Sequence, residues 1–144
     1  MATPCVFCAI VNEPERAAQV YADDHNIAFL DHRPLFPGHV PVVPREHHET
    51  VADLPPRLVA PLFGATRLLS RAVEGALAAD GTFVALNNKV SQSVPHLHVH
   101  VIPRRKGDGL RGFFWPRVGY KDREHLLETR DRIRAEASRL DPAR

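Results

Sequence analysis

His96-Leu97-His98-Val99-His100-Val101-Ile102 is the stretch whose reading decides both fold and chemistry. Side chains on a strand alternate between faces, so Leu97, Val99 and Val101 point one way and His96, His98 and His100 the other. The apolar set can pack on a helix, while the histidines line the opposite face about 6.5–7 Å apart along the strand. A lone histidine on a strand is ordinarily a surface residue or a satisfied one. Three in strict alternation, preceded by Ser91-Gln92-Ser93-Val94-Pro95, do not describe packing. Three imidazoles on one face supply a nucleophile, an acid and a charge-stabilising group within reach of one small anion.

Upstream, Val20-Tyr21-Ala22 and Ile27-Ala28-Phe29-Leu30 read as short strands around the turn-rich Asp23-Asp24-His25-Asn26. His39-Val40-Pro41-Val42-Val43 reads as a third strand. Its Pro41 donates nothing to a ladder and is expected at an edge or a bulge. From Pro56 to Leu77 the period becomes helical, with Leu58, Leu62, Ala65, Leu69, Ala72, Val73, Ala76 and Leu77 on one face. Pro61 falls early in that helix, and Asp80-Gly81 stops it. Thr82–Leu86 is strand-like, and Asn87–Pro95 is a polar loop. After the loop Gly107–Gly119, Lys121–Leu140 reads as a charged helix with Leu126, Ile133, Ala137 and Leu140 inward. The class is α+β: an antiparallel sheet of about five strands with two main helices.

At 144 residues one domain is expected, and 44% hydrophobic with 25% charged residues is ordinary for a soluble globular chain. No window approaches about 18 consecutive apolar residues, and MATPCVFCAIVNEPER lacks the layout of a signal peptide, so the cytoplasm is expected. A formal net charge of +2 argues for neither nucleic acid nor an anionic membrane as partner. Arg104-Arg105-Lys106, joined by Arg111 and Arg117, is locally basic; a solvated loop is the plainer reading and attraction of a polyphosphate the sharper one. Cys5 and Cys8 are the two cysteines, and their C-x-x-C spacing reads as metal ligands or a redox pair. No βαβ context follows to support thioredoxin-like chemistry. Phe113-Phe114-Trp115-Pro116 is an aromatic cluster bracketed by arginines, the pattern of a packing plug.

The histidine strand with its Gln92-Ser93-Val94 lead resembles the signature of the histidine triad family. Cys5-Val6-Phe7-Cys8-Ala9-Ile10, Ala28-Phe29-Leu30-Asp31, Pro37-Gly38-His39-Val40, Pro44-Arg45-Glu46-His47, Asn87-Asn88 and Pro95-His96 extend the likeness, in order, over about residues 5–105. The remainder, 106–144, is a C-terminal loop and helix. The resemblance implies a homodimer that binds purine nucleotides and cleaves at the α-phosphate, releasing a nucleoside monophosphate. Nucleoside phosphoramidates, dinucleoside polyphosphates and adenylylated amines are the implied substrate classes.

By position, the resemblance makes His98 the nucleophile, its other ring nitrogen held by a backbone carbonyl near His96. His100 and Ser93 would contact phosphate oxygens, and Gln92 would lie toward the leaving group. His39 would support the triad from behind. Phe29 and Asp31 would border the nucleoside, Asp31 accepting from ribose hydroxyls. Asn88, or else Asn87, would touch the ribose-phosphate, and Trp115 would shape the leaving-group side of a partner's site. Two departures bear on this: only Lys89-Val90-Ser91 separates Asn88 from Gln92, and Ser91 stands where relatives often have glycine. The resemblance also implies a closed, structural Zn2+ site of Cys5, Cys8, His47 and His96, with His48 the alternative to its neighbour. Catalysis itself would need no cofactor.

Two rival functions follow from the same residues. A metal-dependent hydrolase would use His96, His98 and His100 as ligands of an open zinc, but a third ligand at i+4 lies far along a flat strand. A nucleotide-binding regulatory module would keep the pocket with vestigial catalysis.

Overall fold

The structure is a computed structural model describing residues 4–110 and 117–141. Trp115, Arg111 and the aromatic cluster Phe113-Phe114-Trp115-Pro116 lie outside the described residues. The chain forms two compact units, one ending at Asp108 and one starting at Gly109. The first holds α1 (Val6–Asn12), β1 (Gln19–Ala22), β2 (Asn26–Phe29), β3 (Val40–Pro44), α2 (Pro56–Leu77), β4 (Gly81–Ala85) and β5 (Val99–Arg104). The strands make one antiparallel sheet in the order β1-β2-β3-β5-β4.

Both sheet faces are covered, by helices of different length. Leu58, Leu62, Ala65, Leu69 and Val73 of α2 pack on Ala28, Val40, Val42, Leu97, Val99 and Val101. Phe7 and Ile10 of α1 pack on Ile27, Phe29 and Val43, the alternate residues of the same strands. The seven-residue α1 is capped by Cys5, whose Sγ accepts from the Cys8 N–H. A helix this short is marginal alone, so burial of its apolar side must hold it.

Four expectations change. Pro41 sits in the middle strand of the sheet, opposite His100, and not at an edge. The bonds Arg45 N–H to His25 C=O and Asp31 N–H to His39 C=O fix the alternation of the β2–β3 ladder. By that alternation Pro41's missing N–H faces β2, whose paired register with β3 stops at Ala28↔Val42. One absent rung at the ladder's end is tolerable. In α2, Ala72, Ala76 and Leu77 are exposed and Thr66 is buried instead, its hydroxyl bonded to the Leu62 carbonyl. Val73 is the last buried residue, and the final turn of the helix extends beyond the core contact. The strand at 96–102 begins only at Val99.

In the second unit α3 (Arg123–Leu140) is capped by Asp122, which accepts from the His125 N–H. None of its residues is buried, and Leu126, Ile133, Ala137 and Leu140 are exposed. The apolar stripe exists by period, but among the described residues its own unit supplies no sheet or second helix to cover it. No helix among the described residues is long and apolar enough to cross a membrane.

The basic run serves the fold. Arg105 forks its guanidinium onto the carbonyls of Leu77 and Ala78 at the end of α2, where the helix dipole is negative. Arg104 ion-pairs with Asp108. Nearby, Gly38 adopts φ +100°, and a Cβ there would lie 2.2 Å from Leu77 Cδ1 and 3.4 Å from Pro103 Cγ. Gly38→Ala is therefore expected to cost about 1–3 kcal/mol, read by urea unfolding, with the Leu77 tip forced to move.

Candidate active site

The backbone explains why the ladder starts late. His96 N–H donates to the Val94 carbonyl, Leu97 N–H donates to the His48 carbonyl, and the His96 carbonyl is taken by a side chain. That side chain is His98, whose Nδ1–H donates to it at 2.7 Å. With Nδ1 as donor, the His98 lone pair is at Nε2. The ring is 4% exposed and meets the edge-on Phe7 ring at 5.0 Å and His100 at 4.7 Å. Burial pushes its pKa down, opposed by the His96 carbonyl and by Asp31. The imidazole is neutral at pH 7, which is the nucleophilic form.

A second chain of contacts fixes His100. Leu35 N–H donates to His39 Nδ1 at 3.2 Å, and His39 Nε2 lies 2.9 Å from His100 Nδ1. Burial lowers the pKa of His39, against the pull of Asp31, whose Oδ2 is 3.8 Å from His39 Nε2. Burial, with His98 and His39 adding to it, takes His100 down to about 4.

These groups open on a cavity of about 410 Å³. Val6, Phe7, Ile10 and Phe29 form its apolar side; Asp31, Ser93, His98 and His100 form its polar side. A neighbouring hollow shares Val6, Ile10, Phe29, Asp31 and His32. Phe29, Asp31, Ser93, His98 and His100 are thus brought together, with His39 behind them. Gln92 and Asn88 are not. The Gln92 amide bridges the Lys89 N–H and the Glu49 carbonyl, and Asn88 Oδ1 accepts from the Val51 N–H, so both pin the loop instead of lining the cavity. In this short loop Lys89 and Ser91 take φ of +67° and +60°, a left-handed turn that glycine enters without cost.

Sequence reasoning missed the α1 side of the cavity, as well as His32 and Arg33. The signal for α1 was present as a cysteine cap followed by apolar residues at one-turn spacing, Val6 and Phe7 with Ile10.

Cys5 Sγ lies 3.4 Å from His96 Nδ1, Cys8 Sγ 3.3 Å from His47 Nδ1 and 3.6 Å from His96 Nδ1. The four donor atoms lie within 4.8 Å of one another. Two sulfurs and two nitrogens at these separations match the edges of a tetrahedron with about 2.3 Å and 2.0 Å bonds, so the set fits zinc. His96 Nε2 lies 2.8 Å from the Pro44 carbonyl, which leaves Nδ1 bare toward the cysteines. Burial takes the His96 pKa down to about 4, and burial with Cys5 raises that of Cys8. His48 turns to Glu46 instead, at 3.2 Å.

His96 therefore faces the cysteines, and the three strand histidines do not converge on one open metal. Asp31, His39 and His100 also offer donor atoms within 4.8 Å of one another. There the Leu35 N–H occupies the His39 lone pair at Nδ1, so its Nε2 carries a proton and offers a metal nothing.

The HIT domain family matches residues 13–107. A solved HIT family protein from Bacillus subtilis superposes with TM-score 0.82 at 33% identity, covering 92% of this chain and 96% of that one. A Zn-bound histidine triad family protein from Mycobacterium smegmatis is 38% identical with TM-score 0.70, covering 97% of each chain. Adenylylsulfatase HINT3 of Arabidopsis thaliana is 34% identical over 108 residues, 74% of this chain and 55% of its own length. A histidine strand in this setting, a match over most of the chain and a shared fold lead to one conclusion: the chain belongs to the histidine triad (HIT) family.

Proposed function

We propose that the protein is a nucleotide hydrolase or transferase that acts at the α-phosphate through a covalent nucleotidyl-His98 intermediate. The observation that carries this reading is the His98 Nδ1–H bond to the His96 carbonyl, which aims a neutral Nε2 lone pair at the cavity. His98 Nε2 forms a bond to phosphorus as the bond to the leaving group breaks, and the imidazole becomes cationic. A leaving amine departs with a proton drawn from solvent; water then attacks phosphorus, the electron pair returns to Nε2, and the water gives its proton back to solvent. One difficult displacement becomes two easier ones. His100 Nε2–H and Ser93 stabilise the phosphoryl oxygens, and Asp31 accepts from the ribose beside Phe29. The substrates are nucleoside phosphoramidates or dinucleoside polyphosphates carrying a purine.

The further assignments rest on the same reading. Cys5, Cys8, His47 and His96 hold a structural zinc, which supplies a rigid cross-link and no chemistry. A second copy of the chain completes a homodimer: Gly64, Leu68, Ala72 and Gly75 form an exposed face of α2, and Val84 is exposed on the edge strand β4. Trp115 would act from that second copy. Unbridged cysteines suit a cytoplasmic setting.

Adenosine 5′-phosphoramidate tests the reading. AMP should be released, and acid-quenched samples should carry one adenylyl group on the peptide containing His98. No release makes the protein a binding module. Release without the adduct, abolished by a chelator while the fold persists, restores a metal-dependent hydrolase.

A further inference from the structure

We propose that the backbone N–H of Leu35 locks the proton positions of His39 and His100, making His100 a fixed, neutral donor into the cavity. The kinetic arm of this inference rests on the function proposed above; the spectroscopic arm does not.

The argument is one of donors and acceptors. An amide N–H can only donate, so His39 Nδ1, 3.2 Å from Leu35 N, must present its lone pair. The His39 proton then sits on Nε2, directed at His100 Nδ1 2.9 Å away. His100 Nδ1 is thereby an acceptor, and its own proton sits on Nε2. A proton on His39 Nδ1 would set two N–H groups against each other at Leu35, and with His39 held by that bond a proton on His100 Nδ1 would do the same at His39. Gaining a second proton is blocked in the same way: His39 would have to give up the Leu35 bond, and His100 the His39 bond.

The surrounding charges do not undo the lock. Asp31 favours a cation here, with Oδ2 at 3.8 Å from His39 Nε2, while His98 opposes one, its ring 4.7 Å from that of His100. The consequence is chemical. A neutral imidazole N–H donates a hydrogen bond to a phosphoryl oxygen without carrying an acidic proton to pass to His98 Nε2. The nucleophile keeps its lone pair while the transition state keeps its donor.

Leu35 is 57% exposed, so Leu35→Pro removes the donor with little loss of packing, and Leu35→Ala keeps it. Long-range 15N NMR of the imidazole rings reads the tautomers directly. In wild type and Leu35→Ala, His39 and His100 should both be neutral with the proton on Nε2 at pH 7. In Leu35→Pro, His39 should show mixed tautomers and begin to titrate.

Since the lock disfavours protonation, its loss raises the pKa of the pair. The acid limb of kcat for AMP release should move up by about one pH unit, roughly a tenfold loss at pH values below the wild-type midpoint, with KM little changed. A proton on His39 Nδ1 in the wild type overturns the inference without any variant. So do wild-type tautomers and an unmoved acid limb in Leu35→Pro. If the proline variant fails to fold, an amide-to-ester replacement at residue 35 removes the same N–H at unchanged shape and is read the same way. If the wild type releases no AMP, the function above fails while the ring spectra still decide the lock.

Discussion

His98→Asn is expected to lower AMP release by three or more orders of magnitude while leaving the melting temperature close to that of the wild type. The asparagine amide can still donate to the His96 carbonyl, so the bond that His98 Nδ1 makes at 2.7 Å has a replacement and the chain segment keeps its course. Nothing at residue 98 would then present a nitrogen lone pair to phosphorus. Loss of a nucleophile ordinarily costs far more than loss of one hydrogen-bond donor, which is worth about 10²–10³ in rate. The ring also fills space against Phe7 at 5.0 Å, so a modest stability loss is the accepted side effect. Release within tenfold of wild type from a folded variant would end the covalent reading at His98, because neither of its two partner histidines has a free lone pair on this cavity. His100 and His39 spend theirs on Nδ1.

The sheet and α2 were legible because their signals are periodic. Pro56–Leu77 repeats its apolar residues at helical steps, and the bounds of α2 coincide with that reading. The histidine strand was legible for the same reason, and its two faces separate as the alternation requires. Its first three residues are not strand, since a side chain claims the His96 carbonyl, and a period-2 pattern carries no information about hydrogen-bond partners. Pro41 misled in the other direction: a proline in the middle strand is allowed when its bare nitrogen faces the end of a neighbouring ladder, and only register reveals that.

At the site, the residues with a fixed spacing come together and those on the loop do not. Cys5, Cys8, His47 and His96 converge as the resemblance implied. Asn88 and Gln92 do not reach the cavity, because the short turn through Lys89 and Ser91 draws their amides onto Val51 and Glu49. The His39–Leu35 bond was invisible in principle, since a backbone donor leaves no trace in side-chain identity.

Removing zinc, or replacing Cys8 by serine, is expected to lower stability by several kcal/mol and to take activity down with it. Zinc-finger peptides draw about 10–16 kcal/mol of folding free energy from their metal and have no other core. This fold keeps the core between α2 and the sheet, so the loss should be smaller and confined to the α1 side. That side matters to the chemistry. His96 offers Nδ1 to the cysteines and its carbonyl to His98, so one residue joins the proposed zinc site to the proposed nucleophile. Phe7, between the two cysteines, stands 5.9 Å from His96 and 5.0 Å from His98. Releasing the cysteines frees α1, and with it the wall that holds the nucleophilic ring. The dependence on pH has a definite sign. Two thiols must each lose a proton to bind the metal, so below the thiol pKa affinity should fall by up to about a hundredfold per pH unit, and acid should help a chelator. Metal analysis should give one zinc per chain. Melting curves with and without chelator, followed beside AMP release, should fall together. A protein that holds no zinc, and a Cys8→Ser variant that melts and turns over like the wild type, would reduce the cluster to a pair of thiols, and α1 would owe its position to Phe7 and Ile10 alone.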